Sequence, residues 1–185
     1  MQTKSMNPAA QDLTGRALAA SARGESEEAI ACLKRASEAD ARAGAPRYLL
    51  GAEYAQLGLY DRAIEEMSRA VEIEPALGTA RLQLGLLHLT SGRVAEALEA
   101  WEPLAQLSEE DPLRWFQAGL SCLATDRLAD ARAFLEGGIQ RNPANPPLNR
   151  DMEKIIAQLV SNGRAESAAD ATSGEHVLVS GYLNR

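Results

Sequence analysis

A step of 34 residues recurs along the chain and limits the folds available to it more than any other feature. Gly24, Gly58 and Gly92 follow one another at this step, and Asp126 stands in the fourth place. An alanine column keeps the same step without exception: Ala29, Ala63, Ala97 and Ala131. A period of roughly 20 to 50 residues is typical of arrays of small supersecondary units, because each unit buries its apolar face only by stacking on its neighbours.

The residues that fill these units favour helices. The chain has 34 alanines and 25 leucines, whereas valine, isoleucine and threonine together number 17. Strong helix formers therefore dominate over strand formers. Apolar residues recur at helical spacing on both sides of the midway glycine or aspartate, which predicts two short antiparallel helices joined by a tight turn. The predicted fold class is all-α.

The second unit carries the most complete set of recurring residues: Leu50, Gly51, Tyr54, Gly58, Ala63, Met67, Ala70 and Pro75. This set resembles the tetratricopeptide repeat. The resemblance covers four units, which are residues 10–43, 44–77, 78–111 and 112–145. It implies an α-solenoid, a right-handed superhelix of helix-turn-helix repeats. The first unit departs from the motif, with Arg16 and Ala17 in place of Leu-Gly.

Small residues recur where the paired helices must touch. Ala17, Gly51, Gly85 and Gly119 stand at one position of the first helix, and we expect them to face the alanine column of the second helix. Glycine inside a helix costs about 0.5–1 kcal/mol relative to alanine, so its recurrence indicates close helix approach. Pro103 falls inside the second helix of the third unit and predicts a kink or an early stop there.

The repeats are flanked by three further segments. Residues 1–9 are predicted to be a disordered tail. Residues 146–161 begin with two prolines and carry an apolar stripe, which predicts a helix that caps the last repeat. Residues 162–185 are predicted to be a flexible tail with an apolar end, which docks in the groove of its own or a second chain, packs on the capping helix, or is disordered.

Charge and composition argue against several classes of function. The net charge of −7 and the pI near 5.0 provide no basic surface for nucleic acid or an anionic membrane. The only cysteines, Cys32 and Cys122, form no metal or disulfide motif, and we expect both in the core together with His88. The polar start of the chain predicts no signal peptide, and we expect a cytoplasmic, non-enzymatic protein without cofactor or metal.

The resemblance implies that peptide ligands lie along the concave surface, on one side of each first helix. We call this side the first-helix face, and its residues in this chain are Thr14, Leu18, Ser21, Tyr48, Ala52, Ala55, Leu82, Leu86, Leu89, Phe116, Leu120 and Leu123. Six large apolar side chains come from the third and fourth units. They predict a groove for an apolar or amphipathic segment of another protein, with Tyr48 beside it. The alternative interpretation is that some of the six pack in the core.

The predicted function is therefore a protein-interaction scaffold or adaptor, with the binding residues Tyr48, Leu82, Leu86, Leu89, Phe116, Leu120 and Leu123. Two alternatives stay open at this point. One is a bacterial secretion chaperone that holds an export substrate, since such proteins are similar in size, acidity and repeat content. The other is a structural subunit of a larger complex.

Overall fold

A computed structural model describes residues 6–169 of the chain, with side chains described to residue 161. The described residues form α-helices and one 3-10 helix, and none of them forms a strand. The helices are α1 (Pro8–Ala22), α2 (Ser26–Ala39), α3 (Ala45–Gln56), α4 (Tyr60–Ile73), α5 (Gly78–Thr90), α6 (Val94–Trp101), α7 (Pro112–Ala124), α8 (Leu128–Arg141) and α9 (Pro146–Ala169). The predicted all-α fold class is confirmed.

The chain divides into two compact parts, Met1–Leu87 and His88–Arg185. We call these two parts unit 1 and unit 2, and from here on we call the four 34-residue segments repeats. In unit 1, α1 packs against α2, α2 against α3, and α3 against α4. In unit 2, α6 packs against α7, α7 against α8, and α8 against α9. Consecutive helices thus pair as the repeat pattern predicts.

The turns inside the repeats have a left-handed backbone. Gly24, Gly58 and Gly92 have φ angles of 77°, 73° and 74°, and Asp126 has a φ of 59°. Glycine adopts this region at no steric cost, and aspartate is one of the few other residues that tolerate it. The column that marks the period in the sequence is therefore the column that reverses the chain between paired helices.

Close contact between paired helices explains the small-residue column. A Cβ atom added to Gly51 would lie 2.6 Å from Met67 Cγ and 3.0 Å from the carbonyl oxygen of Ala63. At Gly119 it would lie 2.8 Å from Leu135 Cγ and 3.0 Å from the carbonyl oxygen of Ala131. Only a residue without a side chain fits at these two positions, as the pattern predicts.

Pro103 ends a helix early, as predicted. The α-helix α6 stops at Trp101, and a 3-10 helix continues from Glu102 to Gln106. The α-helical ladder cannot continue through proline, which lacks an N–H and clashes with the carbonyl group four residues earlier. Trp101 is fully buried at this junction and so belongs to the core.

The flanking segments differ from expectation at both ends of the described residues. Helix α1 begins at Pro8, inside the segment expected to be disordered, because the Asn7 side chain accepts a hydrogen bond from the Ala10 N–H at 2.8 Å. Helix α9 continues to Ala169, past the expected end at residue 161. Alanine, glutamate and arginine follow Gly163, and these strong helix formers carry the helix through one unfavourable residue.

The start of α9 is fixed on the end of α8 by an exchange of hydrogen bonds. Asn142 Nδ2 donates to Asn149 Oδ1 at 2.7 Å, and Asn149 Nδ2 donates to the carbonyl oxygen of Asn142 at 2.8 Å. Leu148, Met152 and Leu159 of α9 are buried. These residues are part of the predicted apolar stripe, and the helix packs on α8 as expected of a cap.

Candidate functional site

A pocket of about 80 Å³ opens between α1 and α3 in unit 1. Leu33 of α2 lies beneath it and is buried. Ala17 on α1 and Ala52 on α3 contribute only methyl groups to the walls, which leaves space between the two helices. The lining residues are Ala17, Leu18, Ser21, Leu33, Leu49, Ala52, Glu53 and Gln56.

Half of the predicted first-helix face of the first two repeats lines this pocket. Leu18, Ser21 and Ala52 do so. Thr14 is instead buried, and its hydroxyl donates to the carbonyl oxygen of Ala10 at 2.7 Å. Tyr48 and Ala55 are half-buried and lie outside the lining. The structure therefore brings together three residues of the face, one of them large and two of them small.

The large apolar residues predicted for binding lie mostly in the interior. Leu82, Leu89, Phe116 and Leu120 are buried, whereas Tyr48, Leu86 and Leu123 are half-buried. This burial agrees with the alternative interpretation, in which some of these residues pack in the core. The sequence pattern cannot distinguish the two cases, because a large side chain at a repeat position can fill a gap in its own protein as well as one in a complex.

Phe116 shows how this packing arises. Gly138 on α8 has no side chain, and a Cβ atom built there would lie 2.5 Å from both Cδ1 and Cε1 of the Phe116 ring. The ring therefore rests on the backbone of the paired helix in unit 2. A residue in such contact is not free to bind a partner without leaving its place in the core.

Leu18 is the exposed large apolar residue at the pocket. Its exposed fraction is 51%. The other large apolar residues with comparable exposure lie at the turn between α3 and α4, outside the pocket lining: Leu57, Leu59 and Tyr60. Leu18 thus places an uncovered apolar side chain directly beside a concavity.

Glu53 is a lining residue that the sequence analysis missed. It is 4% exposed, and its Oε2 atom accepts no hydrogen bond from the described residues. It is also the charged member of the pocket lining, in which the remaining residues are apolar or neutral. A signal for it exists in the sequence, because the same repeat position holds Ala19, Leu87 and Ser121 in the other repeats.

Charged residues outside the pocket pair with one another. Arg69 Nη2 lies 2.7 Å from Glu65 Oε1, and Arg132 Nε lies 2.7 Å from Glu136 Oε1, both one helical turn apart. Arg47 Nη1 lies 2.8 Å from Glu66 Oε2 in a less exposed pair. These pairs join opposite charges on the helix surfaces, where each exposed pair contributes little to stability.

The residues with nucleophilic or basic side chains lie in packed surroundings. Cys32 and Cys122 are buried free thiols, and burial raises the pKa of Cys122 and so favours the unreactive thiol form. His88 is half-buried, and burial lowers its pKa, with a smaller effect from the nearby Arg93. Its Nδ1 atom is buried without a hydrogen-bond partner among the described residues.

Two further properties concern the described part of the chain as a whole. None of its helices combines the length and the apolar character that crossing a membrane requires. Nor does it contain a group of three or more histidine, cysteine, aspartate or glutamate residues placed to hold a metal ion.

Comparison with known proteins identifies the family. The family model of the tetratricopeptide repeat matches residues 14–77 and 82–146, which is more than half of the chain. The chain therefore belongs to the tetratricopeptide repeat family. Its fold supports a scaffold for protein–protein interaction, and members of the family are generally non-enzymatic. A search of curated proteins gave no match.

Solved structures with the same fold are similar to the chain at low sequence identity. MamA residues 41 to the end from Desulfovibrio magneticus RS-1 is 19% identical, with 92% of this chain and 100% of that chain covered and a TM-score of 0.59. PilF from Pseudomonas aeruginosa is 20% identical, with 94% and 80% covered and a TM-score of 0.65. YrrB, a tetratricopeptide repeat protein with an unusual peptide-binding site, is 21% identical, with 84% and 78% covered and a TM-score of 0.58.

Proposed function

We propose that the chain is a non-enzymatic adaptor that binds an apolar or amphipathic segment of another protein on the first-helix face. The observation that carries the proposal is the pocket between α1 and α3, with Leu18 half exposed beside it. Covering a leucine side chain completely contributes about 1.5–3 kcal/mol, and the part of Leu18 still exposed would gain a share of that on binding. The peptide-binding site of the similar protein YrrB supports the same class of function.

The proposed contact residues differ from those that the sequence predicts. Leu18, Ser21 and Ala52 form the centre, since they line the pocket. Tyr48 and Leu86 in unit 1 stay in the proposal because they are half-buried and retain surface to cover. The four buried residues are left out, because contact with a partner would require them to leave the core.

The test compares two leucines of equal exposure. Leu18 is 51% exposed at the pocket, and Leu57 is 50% exposed at the end of α3, outside the lining. We expect Leu18→Asp to weaken capture of a specific partner from a lysate of the producing cells by at least about tenfold, because a charge replaces apolar contact area. Leu57→Asp is the matched control and should capture the partner like the unaltered chain.

Quantitative mass spectrometry of the captured proteins measures the effect, and circular dichroism checks that both variants keep their helices. Equal capture by all three proteins would contradict binding at this pocket. Loss with Leu57→Asp but not with Leu18→Asp would move the binding surface to the turn between α3 and α4.

A further inference from the structure

Glu53 lines the pocket, and its carboxylate has no partner among the described residues. The residue is 4% exposed, its Oε2 atom accepts no hydrogen bond, and it forms no ion pair with the described residues. Burying an ionised carboxylate without donors is unfavourable, because water solvates the charge and apolar walls do not. Buried charges in proteins are normally paired, so this position calls for a donor that the described residues do not supply.

The repeat gives no structural reason for an acid at this position. The corresponding residues in the other three repeats are Ala19, Leu87 and Ser121, none of which is charged. A small or apolar side chain is therefore compatible with the helix pair. The unusual residue is one of the four α3 residues that line the pocket, and it is the charged one among them.

The size and lining of the pocket suit an ammonium group on an aliphatic stem. The volume of about 80 Å³ is well above the roughly 10–15 Å³ that one water requires and below the roughly 150 Å³ of a cavity that admits benzene. The lining combines the alkyl residues Leu18, Leu33 and Leu49 with two neutral polar residues, Ser21 and Gln56. An ammonium group has three N–H donors, which matches a carboxylate, a hydroxyl and an amide oxygen.

We infer that this pocket binds the side chain of a lysine in the partner segment, with Glu53 as its counter-ion. The inference rests on the proposed function, since it requires a protein segment on the first-helix face. Charge complementarity selects the occupant, because the lining contains a buried carboxylate and no lysine or arginine. Lysine is a compact point charge on a four-carbon stem, whereas the planar guanidinium of arginine needs a wider site.

The test uses a lysine side chain without a partner protein. N-acetyl-lysine N-methylamide is titrated into the isotope-labelled full chain, and amide chemical shifts of Ser21, Ala52 and Glu53 are followed by NMR. N-acetyl-norleucine N-methylamide is the matched control, because it keeps the four-carbon stem and lacks the ammonium group. We expect saturable shifts with lysine and affinity about tenfold to a hundredfold lower with norleucine, as the loss of a charged hydrogen bond implies.

The variant Glu53→Gln retains the shape and an acceptor oxygen but removes the charge. It should abolish the preference for lysine over norleucine, and thermal unfolding checks that it folds. Equal shifts with both probes on the unaltered chain would overturn the inference even if the variant did not fold. Glycinamide, which carries an α-ammonium group, should bind more weakly than the lysine probe, and tighter binding would also overturn it.

This outcome is separable from that of the proposed function. If Leu18→Asp loses a partner but the lysine probe shows no preference, the adaptor function stands and the lysine site fails. If the probe binds as expected but Leu18→Asp changes no partner capture, the cation site stands and the proposed function fails.

Discussion

Leu18 and Leu120 are two leucines at the same position of different repeats, yet their exposed fractions differ greatly. Leu18 in unit 1 is 51% exposed, whereas Leu120 in unit 2 is fully buried. Beside Leu18, Ala17 and Ala52 contribute small side chains to a pocket. One turn before Leu120, Phe116 packs on Gly138 in the interior.

This difference in exposure indicates where a binding surface can exist on such a repeat. Phe116, a large apolar residue on the first-helix face, fills space within its own unit and so stabilises the fold. Small residues leave a concavity, and a partner can fill it. The sequence draws attention to the large residues of the third and fourth repeats, whereas the open surface lies among the small residues of the first and second.

The largest expected effect tests this comparison directly. Leu120→Ala should lower the free energy of unfolding by about 2–5 kcal/mol, because it leaves a cavity in a packed interior. Leu18→Ala should change it by about 0.5 kcal/mol or less, since most of the side chain lacks neighbours. Urea unfolding followed by circular dichroism measures both. Similar losses for the two variants would show that the two faces are packed alike.

A second pair of substitutions tests the contact between paired helices. Gly51→Ala should destabilise unit 1 by about 1–3 kcal/mol, because the added methyl group meets Met67 and the Ala63 carbonyl. Gly15→Ala in α1 is the matched control, because nothing lies within 4 Å of its added Cβ. In Gly15→Ala the higher helix propensity of alanine should raise the free energy of unfolding by about 0.5–1 kcal/mol.

Thermal unfolding distinguishes these outcomes by the sign of the shift in Tm. A stabilising Gly51→Ala would mean that α3 and α4 have room to separate. The small-residue column would then reflect composition rather than helix contact.

The smallest expected effect concerns the turns. Asp126 in unit 2 has a φ of 59°, whereas the equivalent Gly58 in unit 1 has a φ of 73°. Asp126→Gly should stabilise by up to about 1 kcal/mol, because glycine removes the steric cost of the left-handed region. Gly58→Ala should lower the free energy of unfolding by about 1 kcal/mol, because alanine brings a Cβ atom into the left-handed region. A shift of the same sign in both variants, measured by urea unfolding, would contradict this account.

Much of the fold follows from the backbone preferences of single residues, which can be read from the sequence. Glycine or aspartate every 34 residues sets the turns, because few residues tolerate a positive φ. Pro103 ends α6 because of its own covalent structure. The extension of α9 through Gly163 was not predicted, because glycine is a weak helix former and suggested an end there. The helix continues because strong helix formers follow this glycine.

The candidate site was predicted only in part. Leu18, Ser21 and Ala52 follow from the repeat position, and the structure brings them to one pocket. The exposure of each large side chain could not be predicted, because it depends on how neighbouring helices fill the space around it. The apolar end of the tail at residues 162–185, and its expected docking, fall outside the described residues.

By itself, the sequence determined the period, the helix pairs, the turns and the family, because each depends on the conformation of single residues or on spacing along one helix. Tertiary structure alone decided that Leu120 is covered and Leu18 is half exposed, and that Glu53 is buried without a hydrogen-bond donor among the described residues. The physical reason is that burial is a property of neighbours distant in sequence. A repeat position specifies the direction in which a side chain points, and the packed helices decide what it meets there.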